Sequence, residues 1–181
     1  MRAKTNEQGF SYLDVMIGML ILLVGVMALA AALTGAVIRS RDGEMQLIAK
    51  QYATSTTEAI FSARDLDKLG WDAIGNVGSN PVNSVNQGIF VTGLQDLKPN
   101  AGTDGIVGTA DDSGSFAAGT PEAKAQLQRK IVITDYDDPE RTVAAGYPIM
   151  IRKIVVTISY VAGNTRHEEA LTTMITNYSP N

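Results

Sequence analysis

FSYLDVMIGMLILLVGVMALAAALTGAVI, residues 10–38, decides the architecture of this 181-residue chain. The stretch follows a short polar leader, MRAKTNEQG (residues 1–9), without a break and is apolar almost throughout. A single carboxylate, Asp14, stands near its start. As a helix, Val15 to Ile38 rises roughly 36 Å at about 1.5 Å per residue, against a bilayer core of about 30 Å. That length predicts a membrane segment. An ionised group at the entrance of such a helix is costly unless it finds a partner, so Asp14 marks a functional position.

Three fates are open to the segment. Arg2 and Lys4 could form the charged region of an ordinary secretory signal, with Ala28-x-Ala30 as its cut site. The apolar run continues past that site to Ile38, which argues against it. An uncleaved signal anchor is the second fate. Charge does not orient it, because Arg2 and Lys4 on one side face Arg39 and Arg41 on the other. Cleavage at the Gly9-Phe10 seam is the third fate, and Asp14 favours it, since a conventional signal has no use for an acid there.

The residues that carry this third reading are Gly9, Phe10, the hydroxyl of Ser11, two larger residues, Asp14 and then about twenty apolar positions. From Gly9 to about Arg41 the pattern resembles the N-terminal signal of type IV pilins and type II secretion pseudopilins. The resemblance implies that a prepilin peptidase cuts after Gly9 and methylates the new amine of Phe10. It implies that Asp14 pairs with the amino terminus of a neighbouring subunit during assembly. It also implies other pilin subunits, an inner-membrane assembly platform and membrane lipid as partners. Family members usually carry Glu where this chain has Asp14. The shorter side chain requires its amine partner to come closer.

Prolines set the organisation of the rest. All six lie at or beyond Pro81, so one helix can run from Phe10 to Gly70. Gly18, Gly25, Ala28, Ala32 and Gly35 fall on one face of its membrane half, where backbones can approach closely. Beyond Arg39 the pattern turns amphipathic: Met45, Ile48, Tyr52, Ala59, Ala63 and Leu66 predict a buried stripe, with Gly70 as the stop. Residues 71–125 are rich in Gly, Asn, Ser and Asp and predict a long variable loop, with Trp71 anchoring it and Ile89–Thr92 as its short strand. Strands are predicted at Lys130–Thr134, around Ile154–Tyr160 and at Leu171–Thr176, the last two joined through Gly163-Asn164. A two-residue turn there would set Glu169 opposite Ile158, and a longer one would place Ala170 there instead. The expected fold class is α+β: a long N-terminal helix packed on a small antiparallel sheet. That layout is similar to the pilin architecture, and RKIVVTISYVAGNTRHEEALTTMIT (residues 152–176) resembles the final hairpin of minor pilins of the V type.

Function classes narrow quickly. The net charge of −4 opposes a general nucleic-acid surface. No cysteine is present, so neither a disulfide nor a thiolate is available. The single histidine, His167, reads as an exposed hairpin residue, and Asp137-Asp138 beside Pro139 reads as a turn. No nucleophile elbow or phosphate loop occurs, so the chain is not expected to be an enzyme. TDGIVGTADDSG, residues 103–114, is the remaining candidate. Asp104, Asp111 and Asp112 are hard oxygen donors in a glycine-rich loop and are candidate calcium ligands, although the spacing is not that of an EF-hand. The alternative is an acidic solvated turn. No cofactor is required by the sequence.

The expectation is a minor pilin: residues 1–9 a leader, 10–38 the membrane and filament-core helix, and 39–181 the amphipathic half with a periplasmic head. The precursor would sit in the bacterial inner membrane and pass into a pilus or related filament. Two alternatives stay open, a minor pseudopilin of a type II secretion system and a membrane-anchored or secreted calcium- or ligand-binding domain without a filament role.

Overall fold

A computed structural model describes residues 11–66, 68–82 and 85–177. Helix α1 runs unbroken for 54 residues, Tyr12–Asp65. Gly18, Gly25, Gly35 and Gly43 lie inside it, each costing about 1 kcal/mol relative to alanine in a helix interior. They do not interrupt it, because no proline removes a donor or clashes with a preceding carbonyl. Its start is capped reciprocally. The Leu13 N–H donates to Ser11 Oγ at 3.4 Å, and the Ser11 N–H donates to Asp14 Oδ2 at 3.2 Å. Two otherwise orphaned donors of the first turn are satisfied in this way.

The chain forms two compact units, Met1–Arg41 and Asp42–Asn181. In the first, the described part of α1 exposes large apolar side chains all round, including Leu13, Met19, Leu22, Leu29 and Ile38. A helix apolar on every side belongs in a nonpolar medium. Length and composition suffice for it to cross a membrane. A Cβ placed on Gly18, Gly25 or Gly35 would meet nothing within 4 Å, so the small-residue face is open.

The second unit is an antiparallel meander packed with the rest of α1. Strands β3 (Gln95–Asp96), β4 (Gln128–Tyr136), β5 (Ile151–Ala162) and β6 (Thr165–Thr176) lie in that order. Separate from this sheet, β1 (Pro81–Val82) and β2 (Val85–Asn86) pair with each other. Alternation decides which side of the four-stranded sheet is core. Ile131 and Ile133 of β4 stand opposite Val156 and Ile154 of β5, and all four are buried. Ile154, Val156 and Ile158 are fully enclosed, each such side chain contributing roughly 1.5–3 kcal/mol. The α1 residues in the same cluster are Ala49, Ala53, Ile60 and Ala63. Thr57 is buried beside them and donates to the Ala53 carbonyl at 3.0 Å, which satisfies its hydroxyl.

Two expectations about α1 are corrected. The buried stripe does not end on Leu66, which is 65% exposed. Its N–H still donates to the Ser62 carbonyl at 3.0 Å, and at about 100° of rotation per residue Leu66 falls to the side of the line through Ala49, Ala53, Ile60 and Ala63. The stop also comes before Gly70. The N–H groups of Lys68 and Leu69 both donate to the Ala63 carbonyl, at 3.0 and 3.1 Å, which turns the chain and carries Leu69 into the core.

The long segment after α1 is held by specific contacts. Trp71 anchors it as expected: its indole N–H donates to the Ile149 carbonyl at 3.0 Å, and the Arg152 guanidinium lies 4.4 Å from its ring centre. Buried Arg152 also donates to the Asp135 carboxylate at 2.8 Å, to the Ile74 carbonyl at 2.8 Å and to the Trp71 carbonyl. No strand forms over Ile89–Thr92. Phe90 instead makes an isolated bridge with Asn76 and buries its ring completely, while the sheet takes in Gln95–Asp96 downstream. Gly93, at φ 81°, turns the chain between the two. A short helix, α2 (Pro121–Lys124), closes the segment with Pro121 at its first position and Thr120 accepting from the Ala123 N–H at 3.3 Å.

Candidate functional site

Gly9 and Phe10, the expected processing residues, lie outside the described residues. Asp14 sits in the first turn of α1 and accepts from the Ser11 N–H. An acid at that end complements the helix dipole as well as the cap. The carboxylate therefore has a local partner in the single chain, and an incoming amine would compete with one backbone donor at 3.2 Å.

The three loop acids do not converge. Asp111 Oδ2 accepts from the Thr103 N–H at 2.7 Å, the Thr103 hydroxyl at 2.9 Å and the Asp104 N–H at 3.3 Å. Its Oδ1 accepts from the Thr109 hydroxyl at 2.7 Å. These donors, the Thr109 and Thr103 hydroxyls foremost, hold the carboxyl well below the usual carboxylate range. Asp104 closes its own turn by accepting from the Ile106 N–H at 2.7 Å. Asp112 points the other way, where its Oδ2 accepts from the Gly108 N–H at 2.8 Å and pairs with Arg129. Among the described residues no group of three or more His, Cys, Asp or Glu side chains is placed to hold a metal ion. A calcium shell needs six to eight oxygens facing one point. As arranged, Asp104 and Asp111 face backbone and hydroxyl donors, while Asp112 faces the Gly108 N–H and the Arg129 guanidinium.

The buried Asp112–Arg129 pair leads to a feature absent from the sequence reading. Both side chains are only 7% exposed, and both line a cavity of about 440 Å³. Gln95 and Asp96 of β3 and Lys98 just beyond it form part of the wall, with Val91 and Ile131 supplying apolar surface. Lys98 is fixed there by donating to the Asp112 main-chain carbonyl at 2.8 Å. Burial pushes the Arg129 guanidinium down from its ordinary value, and the Asp112 charge opposes that shift only in part.

No family model, curated protein or solved structure matches the chain. A signal for Arg129 was present in the sequence, for it shares the parity of Ile131 and Ile133 in an alternating strand. A charge on the core side of a strand calls for a buried partner. Which acid would supply it depended on the fold of a loop seventeen residues upstream.

Proposed function

We propose that this chain is a minor pilin, a structural subunit of a type IV pilus or related filament, processed after Gly9 and assembled through its N-terminal helix. The carrying observation is a single uninterrupted helix with two halves of different character. Its first half is apolar on all sides with one acid at the first turn. Its second half contributes Ala49, Ala53, Ile60 and Ala63 to the core of an antiparallel head. Such a helix serves as a membrane anchor before assembly and as a packing rod afterwards. The open face at Gly18, Gly25 and Gly35 suits close helix packing. In this scheme Asp14 exchanges its Ser11 donor for the amine of a neighbouring Phe10.

Mass spectrometry of the mature N-terminus tests the reading. An N-methylated Phe10 is expected, and a terminus near Ala31 would overturn it. Asp14→Ala should still insert into the membrane but fail to enter filaments. Export and incorporation at the normal level would point to an anchored domain with no filament role.

A further inference from the structure

The cavity beside the 103–114 loop lies apart from the helix on which the proposed filament role rests, and its chemistry is specific. Arg129 leaves β4 on the core side and is 6% exposed, so its charge is largely removed from water. Burying a guanidinium is costly unless its donors are met. Among the described residues its one side-chain hydrogen bond goes to Asp112 Oδ2. A guanidinium has five N–H donors, so Arg129 keeps others beyond that bond, and the residue lines the cavity. Lys98 adds an ammonium that donates one proton to the Asp112 carbonyl and keeps two more.

The cavity thus presents a surplus of charged donors beside the apolar side chains of Val91 and Ile131. Its acids are already committed or shielded. Asp112 Oδ1 is buried without a partner, and Asp96, on the rim, accepts from Gln128 at 3.0 Å. Two cations and two acids leave little net charge, so a dianion would gain little from Arg129 and Lys98 while meeting repulsion from Asp96 and Asp112. A monoanion with a planar pair of oxygens suits a guanidinium fork best. A volume of about 440 Å³ lies in the size range of small-molecule sites. We propose that this cavity binds a small aliphatic monocarboxylate, its oxygens on Arg129 and Lys98 and its hydrocarbon against Val91 and Ile131.

The test uses the full chain in mild detergent with sodium butyrate as the probe. Sodium chloride at matched ionic strength and butylammonium chloride, with the same hydrocarbon and opposite charge, are the controls. Amide shifts of Gly108 and Lys98, followed by NMR, should move saturably with butyrate and with neither control. Lys98→Ala, at an exposed position, should weaken butyrate about fivefold, and Arg129→Lys, which keeps the charge but loses the fork, about tenfold or more. Absence of a saturable response would overturn the proposal. So would an equal response to butylammonium, or butyrate affinity unchanged in Lys98→Ala.

Discussion

Glu169 of β6 lies directly opposite Ile158 of β5, on the face of the sheet that carries the core. Ile158 is fully buried there, so an acid as its partner looks like a register error. The turn makes it unavoidable. Ala162 pairs with Thr165, which leaves a two-residue loop, and Gly163 takes the positive φ of 61° that such a turn needs. The carboxylate is accommodated by α1: Gln46 donates to it at 2.7 Å and Lys50 lies 4.0 Å away. A mismatch within the sheet is thereby a match between sheet and helix.

Glu169→Ala should therefore lower stability by about 1 kcal/mol, through the lost hydrogen bond with Gln46. Lys50→Ala should change it by less than about 0.5 kcal/mol, because that pair is long and its lysine exposed. Urea unfolding of the detergent-solubilised chain, followed by Trp71 fluorescence, measures both. An unchanged midpoint for Glu169→Ala would show that α1 does not compensate for the pairing.

Asn76 acts as a piece of β-strand. Its amide donates to the carbonyls of Ile131 at 2.8 Å and Phe90 at 3.3 Å, and its oxygen accepts from the Ile133 N–H at 2.8 Å. Asn76→Ala leaves buried backbone groups of β4 unpaired and should cost roughly 2–4 kcal/mol. Hydrogen exchange at the Ile133 amide should accelerate in step. Gly88→Ala should also destabilise, because its Cβ would come within 2.2 Å of the Asn76 carbonyl oxygen. Gly70→Ala, with nothing within 4 Å and no positive φ, is the neutral control.

Stability should fall at both extremes of pH. Asp111 is held below its ordinary 3.8, so as pH drops the unfolded chain takes up that proton first. Its contribution is complete above about pH 4 and is lost progressively below it. Exchange protection of the Thr103 and Asp104 amides should decline there in the natural chain and show little such decline in Asp111→Asn. At the other end, burial foremost, then the charges of Glu169 and Asp42, raises the Tyr160 phenol above 10.0. The unfolded chain loses that proton first, so its contribution is complete below about pH 10 and falls above it. Tyr160→Phe should flatten the alkaline limb of the melting curve.

Millimolar calcium should leave the melting temperature unchanged. Binding to the folded state alone must raise stability, and Asp104 Oδ1 and both oxygens of Asp111 already accept from the loop's own donors, while Asp112 Oδ2 is held by Gly108 and Arg129. A saturable rise would mean that the cation displaces the Thr103 and Asp104 N–H groups, which NMR would register at those two amides.

Local periodicity carried much of the fold. The apolar run and the absence of proline before Pro81 were enough for α1, and alternation was enough for the cores of β4, β5 and β6. The missed strand has a tertiary cause. Ile89–Thr92 has strand-like composition, but Phe90 was claimed by the core and Asn76 by the edge of β4. In the acidic loop, spacing offered Asp104, Asp111 and Asp112 as a set, but it did not show that Asp104 accepts from Ile106, Asp111 from Thr103 and Thr109, and Asp112 from Arg129.

Residues 10–38 by themselves determined that this chain carries a membrane-length helix, because length and apolarity act within one segment and need no distant partner. The α+β class followed from repeats of 3.6 and 2 for the same reason. Only the tertiary structure decided how the polar exceptions are satisfied. Glu169 meets Gln46, Asn76 completes β4, and Asp112 meets Arg129 at the wall of a cavity. Each of these joins elements far apart in the chain. A hydrogen bond or buried ion pair depends on ångström-scale placement, which the spacing of residues does not encode.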